Sequence, residues 1–254
     1  MNTGAVTGYI DVAQIVLYAF WIFFAGLIIY LRKEDKREGY PLESDRSGSI
    51  KVQGFPAMPA PKTFKLAGGG TVQAPRSEHD SRPIAARPLG QHLGAPLVPT
   101  GNPMLDAVGP ASYAERANIP DHTIDGAPLI VPLRLAPGFE VSSRDPDPRG
   151  MIVYGADSER GGVVSDLWVD RAEPQIRYLE VQTGERRVLL PITFTKIDRR
   201  RNCIDVVALL GGQFAGVPGI ANPDQITRRE EDQIMAYYAG GKLYATPARA
   251  EPFL

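Results

Sequence analysis

One turn of this sequence groups side chains that could exchange protons. Asp170 and Glu173 bracket the turn 170–174, and Arg177 follows at a spacing where its guanidinium could hold both carboxylates by ion pairing. Charged turns of this kind are usually just solvated surface, since Asp and Glu are rarely buried without a partner. From the residue types alone, the solvated turn is therefore the expected interpretation.

A second polar cluster lies upstream, in the segment 120–126. Asp121, His122 and Asp125 stand close together there, and histidine changes charge near neutral pH. If they interact, their titration belongs to the cluster rather than to one residue. A polar turn that leads into the first strand of a domain is an equally good interpretation, because Asp and Gly are common turn residues.

Other chemistry is not indicated. The single cysteine, Cys203, excludes an intrachain disulfide, and its strand-like neighbours predict a buried small apolar side chain rather than a nucleophile. His79, His92 and His122 lack regular metal-ligand spacing, so we expect no metal site. Neither a nucleophile elbow nor a nucleotide fingerprint occurs. With 28 Lys and Arg against 29 Asp and Glu, no basic domain suggests nucleic acid. We expect neither enzymatic activity nor a bound cofactor in this chain alone.

A long apolar segment dominates the N-terminal part. Residues 12–31 contain only one strongly polar side chain, Gln14, and as a helix they would span about 30 Å, the thickness of the hydrocarbon core of a bilayer. A cleaved signal peptide would begin with basic residues, but no Lys or Arg precedes Arg32. A buried core helix would normally show a polar stripe. We therefore predict a single transmembrane helix over 12–31.

The flanks of this helix predict its orientation. Four cations follow it, whereas Asp11 is the only charge before it, so residues 1–11 should lie outside and the chain after the helix should lie in the cytoplasm. Aromatic rings and cations at this end of the helix also suit the lipid interface. The expected interface residues are Tyr30, Arg32, Lys33, Lys36, Arg37 and Tyr40.

The remaining chain divides into an irregular segment and a regular domain. Residues 32–128 are rich in Pro and Gly but keep many apolar side chains, which favours an extended segment ordered on a partner's surface over a disordered linker. Within it, residues 63–66 and 71–73 flank a glycine-rich turn and predict a small hairpin.

Residues 129–254 are predicted to form a mainly-β domain, a small antiparallel barrel or sandwich, with a C-terminal helix. The helix should begin at the capping box of Thr227 and Glu230 and end at Gly240-Gly241. Alternation in 166–170 places Leu167 and Val169 on one face of a strand and Trp168 on the other. The expected strands are 129–135, 151–154, 162–169, 176–181, 187–190 and 203–210.

Several stretches resemble one family, the H chain of the purple-bacterial photosynthetic reaction centre. They follow one another in order over nearly the whole length, so coincidence is a poor explanation. The stretches are Asp11-Val12-Ala13-Gln14, Tyr30-Leu31-Arg32, Glu38-Gly39-Tyr40-Pro41-Leu42, Pro99-Thr100-Gly101-Asn102-Pro103, Asp106-Ala107-Val108-Gly109-Pro110, 164–170, Arg177-Tyr178-Leu179-Glu180, Glu230-Glu231-Asp232 and 237–241.

The resemblance implies a single-pass subunit of the bacterial inner (intracytoplasmic or chromatophore) membrane, with a cytoplasmic PRC-type β-barrel. Such a subunit is non-catalytic and holds no pigment, and it caps the cytoplasmic face of the L and M chains. Those partners hold bacteriochlorophyll, bacteriopheophytin, quinones and a non-haem iron. An antenna ring, a cytochrome subunit and membrane lipids are further implied partners.

The resemblance also gives the two acidic clusters a role. Asp170 and Glu173 match acidic positions that the family uses near the proton path to the secondary quinone, with Arg177 beside them. Asp121, His122 and Asp125 would collect protons from the cytoplasm. Some members of the family carry a histidine pair there, whereas this chain has one histidine. The alternative function is a membrane-tethered PRC-barrel factor for assembly or interaction.

Overall fold

The computed structural model describes residues 4, 6–7, 10–40, 42, 54–66, 69–76, 81–92 and 94–250. They form two compact units. The first contains the described residues up to Ser81 together with His92 and Gly94, and the second contains Arg82–Gln91 and the described residues from Ala95 onward. His79, one of the three histidines whose spacing predicts no metal site, lies outside the described residues.

The first unit begins with one long apolar helix. Helix α1 (Val12–Asp35) starts where the Asp11 carboxylate accepts a hydrogen bond from the backbone N–H of Gln14 at 2.7 Å. None of its residues is buried, and its mean hydropathy reaches 2.3, so it is long and apolar enough to cross a membrane. The helix continues four residues beyond the predicted end at Leu31, because nothing in the polar stretch that follows interrupts helical hydrogen bonding.

The predicted hairpin is confirmed. Strands β1 (Lys62–Lys65) and β2 (Thr71–Ala74) pair antiparallel, with Phe64 opposite Val72. Arg37, just beyond α1, fastens this hairpin to the helix. Its Nη1 donates to the backbone oxygens of Ala60 and Ala74 at 2.8 and 2.9 Å, and its Nε donates to Glu34 at 2.7 Å.

The second unit contains a small hairpin and one seven-stranded sheet. Strand order in the sheet is β10-β11-β6-β7-β8-β9, with β5 added beside β7. All its pairs are antiparallel except β6 with β11, so the predicted mainly-β domain is confirmed and contains one parallel pair. The strands are β3 (Ala86–Pro88), β4 (Leu97–Pro99), β5 (Ile130–Pro132), β6 (Ile152–Tyr154), β7 (Arg160–Asp170), β8 (Gln175–Thr183), β9 (Arg186–Pro191), β10 (Lys196–Asp198) and β11 (Cys203–Asp205).

Two predicted strands are shorter than expected. The first ends at Pro132 and continues as a 3₁₀ turn over Leu133–Leu135. The last ends at Asp205, and residues 206–210 are irregular although Val206, Ala208 and Leu209 are fully buried. Apolar runs of this kind predict burial better than they predict the strand, because a buried loop shows the same composition.

The core lies on the hairpin of β7 and β8. Both faces of the segment 166–170 are buried, and the strand register shifts between Trp168 and Val169. Leu167 and Trp168 belong to one core cluster and Val169 to a second, so the predicted grouping of Leu167 with Val169 is not found in the core. Cys203 is 3% exposed, which confirms it as a buried small side chain.

Helix α2 (Arg228–Tyr244) closes the domain. Its predicted capping box is confirmed, because the Thr227 side chain accepts from the N–H of Glu230 and the Glu230 carboxylate accepts from the N–H of Thr227. The predicted end at Gly240-Gly241 is wrong, since the helix runs through both glycines. A Cβ would lie 2.6 Å from the Cβ of Ala111 at Gly240 and 2.4 Å from the oxygen of Ala208 at Gly241. These glycines serve close packing rather than termination.

Replacing Gly241 should therefore loosen the contact between α2 and the buried segment 206–210 that follows β11. We expect Gly241→Ala to lower the free energy of unfolding by about 1–3 kcal/mol, because the neighbour on one side is rigid backbone. Urea unfolding of the full chain in detergent, followed by circular dichroism, measures the change. Gly212→Ala is the matched control, since a Cβ at Gly212 meets nothing within 4 Å. Equal midpoints for the two variants would contradict the packing role.

Candidate functional site

Asp170 closes the turn between β7 and β8. It is the last residue of β7 and is 2% exposed. Its Oδ1 accepts hydrogen bonds from the backbone N–H groups of Ala172 and Glu173, at 2.9 and 3.1 Å. Asp favours this local arrangement, in which a side-chain oxygen takes the place of a backbone acceptor. The carboxylate thus shapes the turn.

Arg177 binds the other oxygen of the same carboxylate, as the sequence predicts. Its Nε and Nη2 donate to Asp170 Oδ2 at 3.1 and 3.0 Å. Its Nη2 also lies 3.8 Å from a carboxylate oxygen of Glu173. Asp170 therefore accepts four hydrogen bonds from its own chain, two at each oxygen, and its geometry suits an anchor more than a group that exchanges protons.

Glu173 has the opposite environment. Its side chain is 71% exposed and accepts one hydrogen bond, from Gln175 Nε2 at 2.9 Å. The Arg177 guanidinium is its neighbour at 3.8 Å. Glu173 is thus a carboxylate presented outward on a fixed turn, with a cation beside it.

The second predicted cluster lies next to this turn, and its three side chains have different surroundings. Asp121 forms an ion pair with Arg228 in the first turn of α2, whereas His122 and Asp125 are exposed. The turn residue Arg171 joins the two segments, since its backbone N–H donates to Leu129 O at 3.1 Å and its guanidinium donates to Pro128 O. Of the three predicted residues, only Asp121 is built into the charged network at the start of α2.

Sequence reasoning missed Tyr178 and Glu231 as part of this network. The Tyr178 hydroxyl donates to Glu231 Oε2 at 2.9 Å, and Tyr178 directly follows Arg177. Burial raises the pKa of Glu231 above its ordinary value of 4.5, and the charge of Asp121 raises it further. The hydrogen bond from Tyr178 acts in the opposite direction. The two residues are 53 positions apart, so no local pattern in the sequence links them.

A second group of buried charges lies in the same sheet. Glu180 accepts from Trp168 Nε1 at 3.1 Å and from Ser165 Oγ at 2.9 Å. Arg134 Nη1 bridges Asp166 at 2.9 Å and Glu180 at 3.4 Å. Because every carboxylate oxygen named here has a donor or a cation beside it, this group is a satisfied structural network.

The expected lipid-interface residues separate into two sets. Tyr30, Arg32 and Lys33 are exposed. Lys36 is 2% exposed and its ammonium donates to the backbone oxygens of Gly54 and Pro56, while Arg37 holds the β1–β2 hairpin. Lys36 and Arg37 therefore bind the backbone of their own unit, in place of the lipid contacts expected of them. Tyr40 is half-buried, with Lys36 Nζ 5.4 Å from its ring centroid.

The anchoring role of Asp170 predicts a clear difference between the two turn carboxylates. Asp170→Asn should lower the free energy of unfolding by about 1–3 kcal/mol. The amide keeps one acceptor oxygen and replaces the other with an NH2 group, which leaves buried donors without an acceptor. Glu173→Gln, at an exposed side chain, should change it by less than about 0.5 kcal/mol. Urea unfolding of the two variants measures both effects. A stability loss at Glu173 as large as that at Asp170 would contradict this division.

The raised pKa of Glu231 predicts a pH dependence of stability. Between 4.5 and its higher pKa in the folded state, the folded chain binds more protons than the unfolded chain, so this residue makes stability fall as pH rises. Relative to wild type, Glu231→Gln should become more stable as pH rises through that window. Tyr178→Phe, which removes a hydrogen bond that lowers the pKa, should steepen the fall. Urea midpoints measured from pH 4.5 to neutrality test both, and a pH-independent difference for Glu231→Gln would contradict the shift.

Two protein-family models match this chain, and both agree with the architecture described above. A family model described as the photosynthetic reaction centre, H-chain N-terminal region, matches residues 4–135, and one described as a PRC-barrel domain matches residues 140–210. The first covers 132 of the 254 residues, more than half of the chain. Family members are non-catalytic subunits that associate with other reaction-centre subunits. The chain therefore belongs to the photosynthetic reaction-centre H-chain family and carries a PRC-barrel domain.

Proposed function

We propose that this subunit caps the cytoplasmic face of the L and M chains, stabilises the complex and its quinone sites, and conducts protons to the secondary quinone. The observation that carries the proposal is the turn between β7 and β8. There Asp170 and Arg177 fix a loop that holds Glu173 outward, and Tyr178, the residue after Arg177, donates a hydrogen bond to the half-buried carboxylate of Glu231.

The chemistry of the partners explains why such a turn is needed. Full reduction of a quinone takes two electrons and two protons, and uncompensated charge in a site shielded from water is costly. Protons must then arrive through side chains that can hold and release them. In the proposed path Glu173 exchanges the proton, Arg177 holds its neighbour Asp170 in place, and Asp121, His122 and Asp125 collect protons from the cytoplasm.

The proposed orientation follows from the charges that flank α1. Arg32, Lys33, Lys36 and Arg37 follow the apolar stretch, and Asp11 precedes it. Lys and Arg are retained on the cytoplasmic side, which places the N-terminus in the periplasm and the PRC-barrel domain in the cytoplasm. The proposed location is the bacterial inner membrane, where Tyr30, Arg32, Lys33 and Tyr40 would meet lipid headgroups. Pigments, quinones and iron belong to the L and M chains in this proposal.

Neutralising Glu173 tests the proton path. In Glu173→Gln the second, proton-coupled electron transfer to the quinone should slow by about tenfold or more, because a positioned acid–base group is lost. Initial charge separation should be unchanged, since it moves no proton. Flash spectroscopy of the intact complex measures both steps.

The matched control is Glu185→Gln. Glu185 is exposed in the turn after β8, whereas Glu173 precedes β8, so the two lie at opposite ends of a nine-residue strand. At a rise of about 3.3 Å per residue, the two ends of this strand are roughly 30 Å apart. The control should leave both electron-transfer steps unchanged. Unaltered second-transfer kinetics in Glu173→Gln would contradict the proposed role.

A further inference from the structure

An aromatic ring stands exposed just beyond the end of the candidate membrane helix. Phe55 is 81% exposed, more than any aromatic residue that the structure describes within α1, where Phe23 reaches 64%. Removal of such a ring from water is favourable, so a lipid surface at this position would stabilise the attachment.

The backbone on both sides of this ring is fixed to α1. Lys36, the residue directly after the helix, donates from Nζ to Gly54 O at 2.9 Å and to Pro56 O at 2.5 Å. These two carbonyls flank Phe55. Lys36 itself is 2% exposed, and a buried ammonium needs such acceptors, which makes the attachment specific. Phe55 is therefore held at the level where α1 ends.

That level corresponds to the lipid headgroups. Lys36 lies five residues beyond Leu31, the end of the apolar stretch, which is about 7–8 Å along a helix axis. The polar region on each side of a bilayer is roughly 5–8 Å thick. A ring attached here can reach the boundary between headgroups and acyl chains without any change in the backbone.

The charge of the surrounding segment also suits a membrane surface. The described residues in 54–76 include Lys62, Lys65 and Arg76 and no Asp or Glu, and of these cations Lys62 pairs with Glu34 of α1 at 2.6 Å. Cations beside apolar rings favour anionic lipid surfaces, whereas a partner protein would need complementary carboxylates.

We propose that Phe55 is a second membrane contact of this chain, inserting at the lipid interface beside α1. The inference rests on the proposed insertion of α1 in a bilayer. It adds an attachment outside the helix, through which Lys36 couples the depth of the helix to the position of the segment that follows it.

Spin-label accessibility in the intact complex, reconstituted in vesicles of phosphatidylcholine and phosphatidylglycerol, tests this. A nitroxide on Phe55→Cys is compared with one on Ile22→Cys within α1 and one on Glu185→Cys in an exposed turn of the PRC-barrel domain. Unsubstituted complex corrects for background labelling, which the burial of Cys203 keeps low in this chain. Frequent collision of the nitroxide with oxygen indicates that the label lies in lipid. Frequent collision with a water-soluble nickel chelate indicates that it lies in water.

The proposal predicts an oxygen-to-nickel collision ratio at Phe55→Cys that is several-fold higher than at Glu185→Cys and approaches that at Ile22→Cys. A ratio equal to that at Glu185→Cys would place the ring in water and overturn the inference. Protection from both reagents would show a protein contact and overturn it as well. If Ile22→Cys itself collides freely with nickel, the membrane insertion of α1 fails, which distinguishes the two proposals.

Discussion

The buried carboxylate of Asp170 is the interaction on which the second unit most depends. It joins the end of β7 to Arg177 in β8 and takes two backbone N–H groups of the turn between them. These strands are the longest in the sheet and carry much of the core. Once the turn is fixed, Glu173 can only face outward and Tyr178 is aligned with Glu231 of α2. The buried Asp170 and the exposed Glu173 therefore stand three residues apart in opposite environments.

The first unit uses its charges in a similar way. The cations after α1 fit the rule that predicts orientation, and two of them also bind backbone oxygens beyond the helix. Lys36 holds the carbonyls around Phe55, and Arg37 holds the hairpin of β1 and β2. A helix that only anchored the chain would need neither contact. Through these contacts, Lys36 and Arg37 fix the position of the following segment relative to the end of the helix.

Features with local causes could be predicted from the sequence. The capping box of Thr227 and Glu230, the β1–β2 hairpin and the apolar helix each depend on residues within a few positions of one another. Features with distant causes could not. The glycines of α2 look like a helix end until Ala111 and Ala208 are seen against them, and the partners of Lys36 are 18 and 20 residues away. In the candidate site, the ion pair of Asp170 with Arg177 was predictable from spacing, but the burial of Glu231 depends on tertiary packing.

We propose above all that this chain works as the colourless cap of a pigmented complex. Affinity purification of the full chain from its native membrane under mild detergent, followed by a near-infrared absorption spectrum, tests that claim most directly. Bacteriochlorophyll bands should elute with the chain and separate from it when the complex is dissociated, leaving the chain colourless. A colourless, monodisperse monomer obtained directly from the membrane would contradict the account.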